Sequence, residues 1–416
     1  MHSGLRPDSG HRPLTRKACW AALVILLCSS TAYGQIPTEP NPNNIRVRIG
    51  PLLLNPTLSL TNAGIDTNIF NDADADQPKR DFTLTVVPQA DVWLRMGRTW
   101  LMGNIKEDIV WYKTYASERG SNTNFTANWL VPLTRVSFVV GGTLLQTNER
   151  PGFEIDARAD RKERSVNGAF EMRSFSRTLF GARGEVKKFE FNENAVFLGT
   201  NLHNELNRTV TAAALTVRHE LTPLTSITFD LGREQERFHF NPPRDADSTD
   251  ATVGVRFEPF ALVNGFARVG FRHYTPLSSD LPRYTGSIAS VNLSYVALGA
   301  TKLGLLIDRD IDQSFDFNTP YYLRTGIAAS IGQQIYGPLD VQGRVGGQRL
   351  DYRERAGSVA VLNRQDKIRS YGAGIGYRLG RDLRIGFNVD HQKRESQIDE
   401  RRYEGLRYGM SVSYGQ

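Results

Sequence analysis

Residues 82–94 read FTLTVVPQADVWL, and the turn Met96-Gly97-Arg98-Thr99 follows almost at once. Apolar side chains such as Phe82 and Leu84 alternate with polar ones such as Thr83. This alternation is the period of a β-strand that has one apolar and one polar face. The stretch therefore predicts an antiparallel strand that enters a tight hairpin.

Short turns of this kind recur about every forty residues, and a longer polar stretch always separates two of them. Tight turns at one end and long loops at the other are typical of outer-membrane β-barrels. Pairing each turn with its flanking strands predicts sixteen strands between Phe82 and about Ile398. The other turns are Pro132-Leu133-Thr134-Arg135, Phe175-Ser176-Arg177-Thr178, Thr222-Pro223-Leu224-Thr225, Phe260-Ala261-Leu262-Val263-Asn264, Leu298-Gly299-Ala300-Thr301, Tyr336-Gly337-Pro338-Leu339 and Leu379-Gly380-Arg381-Asp382.

One further strand, Pro51 to Leu60, precedes these sixteen, and another, Tyr403 to Tyr414, follows them. We therefore predict an all-β, transmembrane, antiparallel up-and-down barrel of about 18 strands (16–18), with short periplasmic turns and longer extracellular loops. Aromatic residues at both ends of the strands are expected to form girdles at the membrane interfaces. They are Trp100, Trp129, Phe175, Phe180, Phe260 and Tyr336 near the short turns, and Tyr112, Tyr115, Phe191, Tyr274, Tyr284 and Tyr321 near the long loops.

The first 34 residues have the pattern of a secretory signal peptide. Arg12, Arg16 and Lys17 precede the apolar run Ala18 to Cys28, and a small-residue site ends at Gly34. The apolar run of 11 residues is too short to span a bilayer core of about 30 Å as a helix. We expect a signal at 1–34, a periplasmic leader at 35–50 and the barrel at 51–416.

Charge and cysteine content add little specific chemistry. Both cysteines, Cys19 and Cys28, lie in the predicted signal. Without the signal, 47 Lys and Arg stand against 43 Asp and Glu, a net charge of +4. No basic cluster indicates a nucleic-acid partner. The expected location is the outer membrane of a Gram-negative cell.

The first predicted hairpin has the most specific sequence. Gly50-Pro51 leads through Pro56-Thr57-Leu58 to Gly64-Ile65-Asp66-Thr67-Asn68-Ile69-Phe70, and Asp81 to Pro88 follows. This stretch of about forty residues resembles the outer-membrane β-barrel porin family called β-barrel porin type 2. Ile65 replaces the aromatic residue that is usual in that family.

The resemblance implies an outer-membrane barrel, and some members of the family are linked to exopolysaccharide export. It carries over no catalytic residue and no cofactor. The partners it implies are outer-membrane lipid and lipopolysaccharide, the barrel-assembly machinery and polysaccharide-export components. Tyr414 matches the expected terminal assembly signal, whereas Gln416 stands where Phe is usual.

A barrel of this width leaves an aqueous channel unless something fills it. By alternation, several arginines are expected to line the lumen together with Asp91, Glu258, Asp308, Asp340 and Asp390. Rings of charge set ion preference in pores, although Arg–carboxylate pairs can also brace the wall without any role in selectivity. The predicted pore-lining arginines are Arg256, Arg268, Arg272, Arg324, Arg344, Arg378 and Arg384.

Other patterns give weaker signals. The acidic runs Asp72–Asp76 and Asp308–Asp312 lack the glycine and the closing glutamate of a calcium loop. The run Gly372–Gly376 has period two and fits small lumen residues better than a dinucleotide loop. No catalytic, cofactor or metal residues are expected. Five scattered histidines, which form no recognisable constellation, are His203, His219, His239, His273 and His391.

The leading functional hypothesis is a passive pore for hydrophilic or anionic solutes, with an exopolysaccharide exit channel as one form of it. The alternatives are a non-conducting structural or adhesive barrel and, third, a barrel hydrolase. The sequence does not single out a loop that narrows the channel. Its longest loop candidates, Arg150–Lys162, Asn192–His203 and Arg355–Lys367, are of ordinary length.

Overall fold

The computed structural model describes residues 37, 39–40, 45–258, 261–358 and 363–415. It contains one closed antiparallel barrel of eighteen strands, in which each strand pairs with its neighbour in the chain and β2 pairs with β21 to close the ring. The predicted signal peptide lies outside the described residues. The barrel strands are β2 (Leu52–Asp66), β3 (Asp81–Met96), β4 (Thr99–Tyr112), β5 (Gly120–Pro132), β6 (Val136–Thr147), β7 (Arg161–Arg173), β8 (Thr178–Phe191), β11 (Arg208–Thr222), β12 (Thr225–Phe238), β13 (Ala246–Phe257), β14 (Val263–Pro276), β15 (Tyr284–Ala297), β16 (Thr301–Gln313), β17 (Tyr321–Tyr336), β18 (Leu339–Arg353), β19 (Gln365–Leu379), β20 (Leu383–Glu395) and β21 (Tyr403–Tyr414).

The remaining elements are short. Strand β1 (Val47–Ile49) pairs with the start of β2, and β9 (Val196–Phe197) with β10 (Thr200–Asn201) forms a small hairpin in a loop. Helix α1 (Leu202–Leu206) follows this hairpin. Single 3₁₀ turns lie at Asp74–Asp76, Ala116–Glu118, Pro242–Arg244 and Asp399–Arg401. Within the described chain, no helix has the length and apolar character needed to cross a membrane.

Connections between the strands confirm the predicted pattern. Eight connections of two to five residues alternate with nine of seven to sixteen residues, so both ends of the barrel sequence lie on the short-turn side. The first strand is longer than predicted and continues to Asp66. The alternation of apolar and polar residues stops at Asn62, which has a φ of 53° and lies where the pairing with β3 is irregular. Because such a bulge interrupts the period of two, the sequence pattern ends before the strand does.

The two faces of the strands are clearly separated. Thr83 is 2% exposed and Thr85 is 8% exposed, whereas Phe82, on the opposite face of the same strand, is 37% exposed. Because the side-chain period is two, the polar members of each strand point into the barrel and the apolar members form its outer surface. Register slips of one residue would bring arginines into lipid, at a cost of about 2–4 kcal/mol for each one near the midplane.

The prediction of the aromatic girdles was correct for four residues near the short turns, and it was wrong for Trp100 on that side and for most of the residues near the long loops. Trp129, Phe175, Phe180 and Tyr336 are exposed, and Phe260 lies outside the described residues. The distance of an aromatic residue from a turn does not reveal which way its ring points. The rings for which the prediction was wrong pack among protein side chains instead of facing lipid. These buried rings are Trp100, Tyr112, Phe191, Tyr274, Tyr284 and Tyr321.

Candidate functional site: the barrel interior and its inward loop

One of the long loops, residues 148–160 between β6 and β7, reaches across the mouth of the barrel. We call it the inward loop. Its contacts include Arg324 of β17, which stands eight positions from β7 in a ring of eighteen strands and so lies nearly opposite. The loop also contacts Arg394 of β20. It therefore spans the channel and does not extend away from the membrane.

The inward loop is anchored by Glu154, whose side chain is 2% exposed. Its Oε1 accepts a hydrogen bond of 2.7 Å from Ser314 Oγ, and its Oε2 accepts one of 3.1 Å from the Phe315 N–H. Both donors belong to the loop between β16 and β17. A carboxylate held by two donors of another loop fixes the position of the inward loop far from its own strands.

A buried network of ion pairs connects the inward loop to the barrel wall. Arg394 Nη1 donates to the main-chain oxygen of Phe153 at 3.0 Å and to Asp156 Oδ2 at 2.9 Å. Its Nη2 lies 2.5 Å from Asp366 Oδ2. Arg401 reaches Asp156 at 3.2 Å and also donates to the main-chain oxygen of Glu154. Charge-assisted hydrogen bonds of this kind are about twice as strong as neutral ones.

Apolar side chains complete the docking of the inward loop. Ile155 and Ala159 pack in a buried cluster with residues of the loop between β8 and β11, which include Phe197 and Leu202. Phe153 packs against the cluster of Tyr322, Leu350, Tyr352 and Ile368. Each fully buried apolar side chain of this size contributes about 1.5–3 kcal/mol. The outer mouth is therefore covered by packed loops.

Beside the inward loop the lumen keeps a cavity of about 530 Å³. Strands β2–β4 and β18–β21 form its wall, and the loop itself forms its upper boundary. Three ion pairs line this cavity: Lys106–Asp108 at 2.8 Å, Arg344–Asp390 at 2.6 Å and Arg407–Asp66 at 2.6 Å. The space is polar and of the size of a small hydrophilic solute.

Two of the wall ion pairs pass over glycines. Arg344 of β18 and Asp390 of β20 meet across Gly372 of β19, and Arg384 of β20 reaches Asp340 of β18 across Gly376. A Cβ added at either glycine would lie within 3.0 Å of the guanidinium concerned. The run Gly372–Gly376 thus lets arginines lie flat against the wall, which explains the period-two glycines of the sequence.

The structure separates the seven predicted arginines. Arg344 and Arg384 line the cavity beside the inward loop, and the other five are not among its lining residues. Six of the seven arginines have a carboxylate within 4.0 Å. Their partners are Glu258 for Arg256, Asp250 and Asp310 for Arg272, Asp308 and Asp312 for Arg324, Asp390 for Arg344, and Asp340 for both Arg378 and Arg384. Arg268 also has an interaction partner. A role of these arginines in pore selectivity stays a prediction.

The weaker candidates are placed apart from one another. Asp74–Asp76 forms a 3₁₀ turn in the loop between β2 and β3, and Asp308, Asp310 and Asp312 pair with arginines. Among the described residues no group of three or more His, Cys, Asp or Glu could hold a metal ion. The histidines have separate partners: His203 contacts Phe191 and Asn207, His219 contacts Thr178, His239 contacts Thr209, His273 contacts Thr285, and His391 contacts Glu404.

Sequence reasoning found the inward loop only as Arg150–Lys162, one loop of ordinary length among three. The sequence of the loop does contain an indication that it packs inward. Pro151-Gly152-Phe153-Glu154-Ile155 places two large apolar side chains in a stretch that would otherwise face water. Such residues in an outer loop indicate that the loop packs against something, which here is the opposite wall.

Two carboxyls of the inward loop are perturbed by burial. Burial raises the pKa of Glu154 above its usual value, and the nearby Arg401 only partly offsets this effect. Burial likewise raises the pKa of Glu149, helped by the neighbouring charge of Asp108. Both shifts follow from the cost of a charged group in a poorly solvated place.

A closed barrel with an apolar outer face, a polar lumen and an inward loop defines a porin-like barrel of the outer membrane. The sequence matches the family described as "Putative beta-barrel porin 2" over residues 42–415. The chain belongs to this family, as the resemblance in the first hairpin predicted. No curated protein matches it.

Several solved outer-membrane porins are similar to this chain in the path of the backbone. The outer membrane protein opdK from Pseudomonas aeruginosa has 10% identity and a TM-score of 0.46, with 87% of this chain and 98% of that chain covered. OccK2 (OpdF) from the same organism, in complex with glucuronate, has 9% identity, a TM-score of 0.45 and coverage of 87% and 97%. A BenF-like porin from Pseudomonas fluorescens Pf-5 has 10% identity, a TM-score of 0.47 and coverage of 88% and 98%.

Proposed function

We propose that this protein is a passive pore for small hydrophilic solutes, narrowed by the inward loop. The observation that carries the proposal is the polar cavity of about 530 Å³ between that loop and the wall of β2–β4 and β18–β21. Large solutes would have to displace Glu154 and Arg394 from buried partners, whereas small ones can use the space that is already present. The pore therefore selects first by size.

For ion preference we propose a modest selection of anionic solutes. Six basic residues line the cavity against five acidic ones. Rings of charge bias ion passage in this way. The basic residues are Lys106, Arg150, Arg158, Arg344, Arg384 and Arg407, and the acidic ones are Asp66, Asp108, Glu149, Asp156 and Asp390.

The test is conductance of the purified, refolded protein in a planar bilayer under a salt gradient. Stable open steps with a reversal potential on the anion side are the expected result. Passage of neutral sugars of increasing size into proteoliposomes measures the size limit. A folded, heat-modifiable protein that gives neither conductance nor sugar uptake would overturn the proposal.

A second candidate is a non-conducting structural or adhesive barrel. The observation that favours it is the docking of the inward loop, with Glu154 and Arg394 almost fully buried. An exopolysaccharide exit would also need this loop to leave the lumen, because a polymer occupies the whole length of the channel. Removal of the loop separates these cases: it enlarges an existing conductance in a pore and creates a new one in a blocked barrel.

A further inference from the structure

A basic patch lies on the outer surface of the barrel, at the long-loop ends of β18, β19 and β20. It consists of Arg349, Arg353, Lys367, Arg369 and Lys393, and we call it the outer basic patch. Its side chains alternate with the lumen residues Leu350, Asp366 and Ile368, which are buried, so they point away from the channel. The exposed fractions of the side chains of Arg349, Arg369 and Lys393 are 56%, 50% and 44%.

The patch contains like charges directly opposite each other on neighbouring strands. Arg349 pairs in register with Lys367, and Arg369 pairs with Lys393. Like charges opposite each other destabilise a sheet. Glu395 stands opposite Lys367 in the register of β19 and β20, so the repulsion is partly relieved within the protein, and an anion over the patch would relieve the remainder.

Carboxylates compensate this charge only in part. Arg349 meets Asp351 at 2.8 Å, Arg369 meets Glu395 at 3.2 Å and Lys393 meets Glu404 at 3.4 Å. Arg353 and Lys367 form no ion pair within 4.0 Å among the described residues, and Glu395, which stands opposite Lys367 in register, pairs with Arg369 instead. Exposed pairs of this kind contribute about 0–1 kcal/mol, so a phosphate can replace the carboxylate at little cost.

The position of the patch indicates which lipid it meets. Towards the short-turn side, the same strands expose the apolar residues Val345, Tyr371 and Ile375, at 49%, 50% and 48%. The patch thus lies at the edge of the lipid-facing band, on the side of the long extracellular loops. Headgroups of the outer leaflet reach this level, while acyl chains cover the apolar residues below it.

We propose that the outer basic patch binds the phosphorylated glucosamine headgroup of lipopolysaccharide. The guanidinium and ammonium groups contact its phosphates, because arginine matches phosphate with two parallel hydrogen bonds. Asp351, Glu395 and Glu404 contact the divalent cations that accompany those phosphates. The site is on the outside of the barrel, so it does not depend on whether the channel conducts.

The test measures binding of bisphosphorylated lipid A to the full mature protein in detergent by native mass spectrometry. The patch variant carries Arg353→Gln, Lys367→Gln and Arg369→Gln. The control carries Arg98→Gln, Arg135→Gln and Arg381→Gln, which remove three exposed charges at the short turns. We expect the patch variant to bind lipid A roughly tenfold or more weakly, and the control to bind like the native protein.

Equal affinity of the patch and control variants would overturn the proposal. Dephosphorylated lipid A and phosphatidylglycerol serve as further probes. We expect neither to distinguish the patch variant from the control, and an equal loss of phosphatidylglycerol binding would mean a general anionic-lipid surface and contradict the assignment. If the triple variant does not fold, as judged by heat modifiability, Lys367→Gln alone is measured against Lys367→Arg, which should retain binding.

Discussion

Nη2 of Arg394 lies 2.5 Å from Oδ2 of Asp366, and both side chains are fully buried. The same guanidinium donates through Nη1 to the main-chain oxygen of Phe153 and to Asp156 in the inward loop. One arginine therefore joins β19 and β20 to the loop that crosses the lumen. The loop is held by a charge of the barrel wall, so its release would take Asp156 away from Arg394 and Arg401, while Asp366 keeps Arg394 and Arg364.

Replacing Arg394 by methionine should release the inward loop and destabilise the barrel. Removal of one partner from a buried ion pair costs about 3–5 kcal/mol, because the other charge stays buried. We expect the free energy of unfolding in urea to fall by this amount and the single-channel conductance to rise.

The matched control for Arg394 is Arg164→Met. Arg164 pairs with Glu190 at 2.5 Å, but its side chain is 57% exposed. We expect this change to alter stability by less than about 1 kcal/mol. Equal losses in the two variants would show that burial of the Arg394 pair does not matter.

The docking of the inward loop should depend on pH through Glu154. Burial raises the pKa of this carboxyl above its ordinary value of 4.5, so the docked loop holds the proton more tightly than the released loop. Docking is strongest below pH 4.5 and weakens as the pH rises from there through the raised pKa, above which it is constant. Channel openings should therefore become more frequent as the pH is raised across this window.

Glu154→Gln removes this ionisation and keeps a side chain of the same shape. We expect openings of the variant to be independent of pH between about pH 4 and 8, at a frequency close to that of the native protein in acid. Single-channel recordings at several pH values measure this. A variant that keeps the native pH profile would assign the effect to another group.

Gly376 should be far less tolerant of alanine than Gly332, although both are glycines of barrel strands. At Gly376 a Cβ would lie within 3.0 Å of the Arg384 guanidinium, whereas at Gly332 the nearest neighbouring atom is Lys302 Cβ at 4.0 Å. Displacing Arg384 breaks its pair with Asp340. We expect Gly376→Ala to lower the free energy of unfolding by about 1–3 kcal/mol; similar values for both variants would contradict this packing.

Ion preference should respond to Arg344 and Asp390 in opposite directions. Both side chains line the cavity and are partly accessible, at 24% and 41%. Arg344→Gln should lower the ratio of anion to cation permeability by about twofold, and Asp390→Asn should raise it. Arg378→Gln is the control, since Arg378 is not among the cavity residues. Reversal potentials in a salt gradient distinguish these variants.

The sequence predicts the barrel well because lipid imposes one strict pattern. Each strand must be apolar on one face, and each tight turn must reverse the chain, so the eight turns and eighteen strands can be read from residues such as Phe82, Thr83 and Gly97. The route of a loop has no such period. Phe153 and Ile155 indicate burial but not against which wall they pack, and Trp100 shows that a ring near a turn can point inward as easily as outward.

The measurement that tests the central claim most directly is the single-channel conductance of the native protein and of a variant in which residues 153–157 are replaced by two glycines. The account predicts a stable native conductance and a larger one in the variant, because the inward loop with Glu154 no longer narrows the lumen. Equal conductance of the two proteins, or silence of both while they remain folded, would contradict it.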